Sequence, residues 1–296
     1  MKNDRILQTK KKTDNYQLGI FLMILCSLCF ALIALIINLL ENIPLMEIVF
    51  FRNFALMIMA PIILVKQRIS IWGNNKPLLI YRGIFGCLGM IGMFYSYTKM
   101  PMTDAVTIQR LSPFFVIILS VLFLKERFNL RQFPFILFAF LGVLMVIKPG
   151  LRADIFPGLI GLVAAVFMAS AHVILRRLRL TDNHWTIINF FAYITGLMAT
   201  IVLLIQGNFM IPNRFEFMLL FLLGFIAIGA QVTLTLAYRY TPASMVAPYL
   251  YSQIIFAAIL EISLLRVLPD ILTLIGSSII VISGVLDYRI NKIKPE

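Results

Sequence analysis

An all-α polytopic membrane protein, with ten transmembrane helices arranged as two inverted five-helix repeats, is the fold this sequence predicts. Three observations predict it. Of the 296 residues, 61% are hydrophobic and 13% charged, whereas a soluble domain is about half apolar and about a quarter charged. The apolar residues gather in runs near the length that crosses a ~30 Å hydrocarbon core. The cations between those runs follow an alternating pattern of the kind that orients a chain in a bilayer.

The runs are 18–40, 46–65, 78–98, 105–124, 133–148, 157–176, 184–205, 216–238, 244–265 and 270–288. Pro44, Pro77, Pro101, Pro149, Pro157, Pro212, Pro242 and Pro269 mark the joints, and no stretch is long enough for a soluble domain. Residues 1–17 are polar and basic, and the run after them is too long for a signal-peptide core, so they read as a cytoplasmic tail. The expected organisation is that tail, a first repeat at 18–148, a second at 157–288 and a short cytoplasmic tail at 289–296.

The formal net charge is +13. With the N-terminus placed in the cytoplasm, 18 of the 26 Lys and Arg fall in cytoplasmic segments, 5 in outer loops and 3 within spans. One missed span would reverse every later loop and erode the bias, so the asymmetry supports an even count and two cytoplasmic termini. The cations have this topological role, and no nucleic-acid partner is implied.

The repeat shows at two turns. Tyr97–Ala105 reads YTKMPMTDA, between spans three and four; Tyr238–Val246 reads YRYTPASMV, between spans eight and nine. Each has an aromatic helix end, a basic residue, a Pro turn and a short polar entry to the next helix. Five spans per half is an odd number, so the second half enters the bilayer inverted. Inverted repeats are the usual build of secondary transporters, with substrate held near the midplane between the repeats.

At this point the chain resembles the drug/metabolite transporter superfamily, specifically the EamA-type ten-helix carriers. Arg82–Gly86 (RGIFG) with Phe94–Ala105 (FYSYTKMPMTDA) resembles the family's third helix, Pro242–Pro248 (PASMVAP) its eighth-to-ninth turn, and Pro269–Leu286 its last helix. Arg266 and Val267 stand where family members often carry Gly-Glu, although Glu126 keeps the acidic position in the first half. Glu47, Arg52 and the RGIFG segment are most similar to the bacterial S-adenosylmethionine-uptake branch. The resemblance implies an inner-membrane carrier, with S-adenosylmethionine as its best single substrate and export of amino acids or drug-like metabolites as the alternative.

Ionisable groups inside a bilayer are costly and are functional candidates by default. Arg52, Arg110 and Glu261 are expected at one depth, as a polar layer in the outer half of a cavity, with Glu261 alternatively a structural partner of either arginine. Arg presents a planar fork suited to a carboxylate or phosphate. Tyr95, Tyr193, Tyr249, Gln109 and Gln253 are the expected neutral substrate contacts; Tyr249 and Gln253, four residues apart, share a helix face. Glu47, Arg82 and His172 are candidates for gating or coupling. For Arg82 the competing reading is a head that snorkels to the interface, and for His172 a packing role near a helix end. Gly83, Gly86, Gly89 and Gly92 let span three pack closely on a neighbour. Pro113 and Pro248 would loosen spans four and nine and free carbonyls toward a cavity.

These residues favour a secondary carrier with a small-molecule substrate, coupled to protons or to a counter-substrate; a homodimer is compatible with them. Cys26, Cys29 and Cys87 lie within apolar runs and read as packing residues, and no cofactor or metal is expected. No Walker motif, H-E-x-x-H or nucleophile with an evident base is present, which argues against ATP drive and against a lipid-acting enzyme. A channel would need a charged ring or a repeated filter.

Overall fold

The computed structural model describes residues 16–124, 133–148, 155–178, 181–240 and 247–292. Its α-helices are α1 (Tyr16–Leu39), α2 (Leu45–Lys66), α3 (Lys76–Lys99), α4 (Met102–Gln109), α5 (Ser112–Leu124), α6 (Phe133–Ile147), α7 (Phe156–Leu178), α8 (His184–Gln206), α9 (Arg214–Tyr240), α10 (Ser252–Leu260) and α11 (Ile271–Lys292). They make ten spans, because α4 and α5 together form the fourth. Six helices, in α1, α2, α3, α7, α8 and α9, are long and apolar enough to cross a membrane. Their outward faces are apolar, with Phe217, Phe221 and Phe225 more than half exposed along α9.

The expected uninterrupted helix at 105–124 is broken at Arg110 and Leu111, where the backbone closes by tight turns onto Thr107 and Ile108. Pro113 explains the break: it has no N–H for the Gln109 carbonyl, and its ring crowds that turn. The ninth span is broken too. A 3-10 turn, Ala247–Tyr251, carries Pro248 into α10, and a π turn, Glu261–Leu265, ends it. Aligning Pro101 with Pro242 sets Arg110 on Tyr251, so the two breaks are equivalent places in the two repeats. Pro242 itself lies outside the described residues.

Helix packing obeys the same relation, in which span n matches span n+5. Span three (α3) lies along span six (α7), and span eight (α9) lies along span one (α1). Span three also meets seven, as eight meets two. Spans two and seven, four and nine, and five and ten pair with each other. A two-fold axis through those self-paired helices generates the whole pattern, as an inverted repeat requires. On that axis α6 and α11 cross backbone to backbone: a Cβ on Gly276 would stand 2.5 Å from the Gly142 carbonyl oxygen. Small residues make such approaches feasible.

Acidic side chains pin the loops at the two ends, named here by Pro101 and Trp72. At the Pro101 end, Glu47 in the first turn of α2 accepts the backbone N–H of Met210 at 3.2 Å. At the Trp72 end, Asp182, just before α8, accepts the backbone N–H groups of Asn74 and Asn75, the latter at 3.3 Å. Spans two and seven are repeat partners, so the two acids act alike at opposite ends.

Candidate functional site

Arg52 and Arg82 enter the bundle from opposite ends. Arg52 lies seven residues into α2 from the Pro101 end and Arg82 six residues into α3 from the Trp72 end, each about 10 Å deep at the helical rise. Both are buried, at 4% and 5% exposure, and both guanidinium groups lie over the ring of Phe191, at 5.4 and 4.2 Å from its centroid. Arg52 donates from Nη1 to Asn53 Oδ1 at 3.0 Å. Its Nε, and the Nε and Nη1 of Arg82, have no hydrogen-bond partner among the described residues. Among the described residues no carboxylate reaches either arginine, whereas Lys148 is paired with Asp104 and Asp270.

Gly86 makes this arrangement possible. A Cβ there would stand 2.8 Å from Arg82 Nη1 and 3.0 Å from Phe191 Cε2. The second glycine of the RGIFG segment is therefore space for the guanidinium and the ring.

The helix breaks carry a second polar group. Arg110, the C-cap of α4, is buried and donates to Gln253 Oε1 in the first turn of α10, joining one break to the other. Beside them Tyr97 donates to Gln109 Oε1 at 2.8 Å, and Gln109 Nε2 meets the Met93 sulfur. His172 is half-buried in α7.

Glu261 is elsewhere. It is 2% exposed and accepts the backbone N–H groups of Met102 at 2.9 Å and Thr103 at 3.0 Å, and the Thr103 hydroxyl. It thus caps α4 from another helix, because Pro101 at the N-cap supplies no side-chain acceptor. Arg110 lies seven residues farther along that span, about 10 Å deeper. The expected layer of Arg52, Arg110 and Glu261 does not form, and neither does pairing of Glu261 with an arginine.

The remaining expected contacts divide. Tyr95 is half-buried with its ring edge-on to Phe156, 6.4 Å between centroids. Tyr249 packs on Met23, Cys26 and Leu234, away from Gln253, because the backbone between them is a 3-10 turn rather than an α-helix. Tyr193 is 38% exposed on the outer surface of α8. Glu47 stays at the Pro101 end. Phe191, Asn53 and the cluster of Lys148, Asp104, Thr273 and Asp270 are functional candidates that the sequence alone did not single out. A Phe in an apolar helix and an Asn beside an Arg carry no signal until the helices pack.

That last cluster ties spans four, five and ten at the Pro101 end. Lys148 donates to Asp270 Oδ2 and to Thr273 Oγ1, the latter at 3.1 Å, and lies 3.7 Å from Asp104 Oδ2. Thr273 Oγ1 donates to Asp104 Oδ1, and the Thr273 N–H donates to Asp270 Oδ1 at 3.0 Å. Partial burial raises the Asp270 carboxyl, but the Lys148 and backbone hydrogen bonds outweigh it and hold the group below its ordinary value.

Comparison with known proteins agrees with this architecture. The chain is 31% identical over 282 residues to the pseudopaline exporter of Pseudomonas aeruginosa, covering 94% of this chain and 99% of that one. It is 26% identical over 237 residues to the S-adenosylmethionine uptake transporter of Rickettsia felis, covering 79% and 80%. A protein of known crystal structure shares the fold, with a TM-score of 0.71 at 14% identity over 92% of this chain and 98% of that one. The profile of the EamA-like transporter family matches twice, at residues 17–148 and 156–286. With one copy of that profile over each five-span half, this polytopic membrane protein belongs to the EamA-like transporter family.

Proposed function

We propose that the chain is a secondary carrier that moves an anionic or zwitterionic, carboxylate-bearing metabolite by alternating access, with the substrate bound between Arg52, Arg82 and the Arg110–Gln253 pair. One observation carries this reading: two buried guanidinium groups share the Phe191 ring with no carboxylate among the described residues. An uncompensated charge in a low-dielectric interior is costly, and an arriving carboxylate would offset it with charge-assisted hydrogen bonds. The two broken spans support it, since discontinuous helices commonly build transporter sites at the repeat interface. S-Adenosylmethionine is the specific candidate from the sequence resemblance; its amino-acid carboxylate would meet the arginines. The relative that exports pseudopaline favours a second reading, in which the same site serves efflux of a carboxylate metabolite.

In this reading the chain sits in a bacterial inner membrane with both termini in the cytoplasm and the Pro101 end outside. The coupling partner is a proton or a counter-substrate. Counterflow in proteoliposomes tests the function. Preloaded substrate should accelerate uptake of labelled S-adenosylmethionine or of another carboxylate, and Arg52→Ala and Arg82→Ala should abolish it. Uptake indifferent to preloading would indicate a channel, and parental rates in both variants would sink the site. An imposed pH gradient without preloading separates proton coupling from exchange.

A further inference from the structure

The Arg52–Arg82 pair sharpens that reading, on which this inference rests. Both guanidinium carbons lie within 5.4 Å of one ring centroid, so they are within about 10 Å of each other. Among the described residues no carboxylate balances either charge. The one hydrogen-bonding side chain at Arg52 is neutral Asn53. Among the described residues Glu261 is held by the first turn of α4, and Glu47 accepts the Met210 N–H through Oε2 at the Pro101 end, with its Oε1 unpaired. Moving Glu261 would strand two buried backbone donors, which costs about 1–3 kcal/mol per donor. The Phe191 ring face attracts a cation by only about 0.5–2 kcal/mol and carries no net charge. Three donors, Arg52 Nε and Arg82 Nε and Nη1, remain open.

We propose that this pair is a clamp for a dianion, so that the transported molecule carries two acidic groups close enough to meet both guanidinium groups: two carboxylates, or one phosphate. A single carboxylate balances one arginine and leaves the other buried and unmatched. A zwitterion brings its own cation into the same space. The clamp therefore selects diacids over S-adenosylmethionine, which offers one carboxylate with an ammonium and a sulfonium. Asn53 supplies a way to change that selection. Its Oδ1 already touches Arg52 Nη1, so Asn53→Asp adds an internal carboxylate at nearly constant shape.

The test uses purified full-length protein in detergent and low-chloride buffer, with thermal unfolding as readout. Malonate, succinate and glutarate are each compared with their mono-amide, and inorganic phosphate forms a separate arm. At least one diacid should raise Tm at a concentration about tenfold or more below that of its mono-amide, the equivalent of one charge-assisted hydrogen bond. In Asn53→Asp the mono-amide should match the diacid, and in Arg52→Gln and Arg82→Gln the preference should vanish while the unliganded protein stays folded. A response to phosphate alone, lost in the arginine variants, assigns the dianion as a phosphate. Equal stabilisation by every diacid and its mono-amide in the parent protein, with no response to phosphate, overturns the two-charge clamp and leaves the carboxylate reading standing. No response to any probe overturns both. If Asn53→Asp does not fold, the two arginine variants decide alone.

Discussion

Two regions of this molecule bury charge, and they do it in opposite ways. At the Pro101 end Lys148, Asp104, Thr273 and Asp270 answer one another, and Glu261 answers the open N–H groups of α4. In the middle of the bundle Arg52 and Arg82 share a phenyl ring and keep open donors. Lys148, Asp104 and Glu261 are about as hidden from solvent as the two arginines. Burial by itself therefore does not mark a site; the balance of charge does. A satisfied cluster fixes helices in place, whereas an unsatisfied one holds interaction free energy in reserve for a ligand.

Charge removal should separate the two regions most strongly. Arg82→Gln should lower transport about 100-fold, since it removes charge-assisted hydrogen bonds worth about 1.5–3 kcal/mol. The unliganded protein should unfold at the same temperature or higher. A parallel fall in transport and Tm would show that Arg82 is only a packing residue. Lys148→Ala should do the reverse, destabilising the protein by about 3 kcal/mol because buried Asp104 and its neighbour Asp270 lose the Lys148 charge. Thermal unfolding measures that loss, and adding Asp104→Asn should recover most of it. If the double variant is no better, the cluster is not an ion-pair unit.

Smaller effects refine the contrast. Glu261→Ala should cost about 1–3 kcal/mol through the orphaned donors of α4, with hydrogen exchange rising first at Met102 and Thr103. Unchanged protection there would remove Glu261 as the cap. Gly86→Ala should raise KM about tenfold with little loss of stability, because the group it displaces is the far end of Arg82, and a hydrogen-bond distance lost there is worth about 1.4 kcal/mol. The smallest effect is that of pH at Asp270. Its carboxyl is depressed in the folded protein, so its contribution is present above the unfolded value and is lost as pH falls through the folded one. Tm should drop more steeply on acidification below the usual Asp range in the parent than in Asp270→Asn. Identical profiles would show that the Lys148 contact contributes nothing.

Much of the fold is legible along the chain because the bilayer imposes it locally. Length, apolar content and loop charge define the spans, and two Pro turns reveal the repeat. Even the helix breaks are foreshadowed, since Pro113 and Pro248 remove donors wherever they sit in a helix. The site is legible in part. Arg52, Arg82, Arg110 and Gln253 stand out as polar groups in apolar runs, and all four lie in the buried interior. Depth estimates along single helices fail for the rest. Counting residues sets Glu261 level with Arg52 and Arg110, yet a side chain that reaches across to another span serves the level of its partner. Tyr193 reads as a contact because hydroxyl-bearing rings are useful in cavities, but its face of α8 turns outward.

The sequence by itself determined the class of molecule, the number of spans, the inverted relation of the halves and the presence of excess cations within the membrane. Each of these follows from local chemistry: transfer to lipid, helical rise and the missing N–H of proline act on residues near one another in the chain. Only the tertiary structure decided which charge met which partner. Glu261 and Thr103 are 158 residues apart, and Arg110 and Gln253 are 143 apart. No local pattern encodes such pairs, because they arise where two helices cross and depend on which faces the surrounding side chains leave open. That is why the cations could be found in the sequence, but the pair left without a counter-charge, at Phe191, could not.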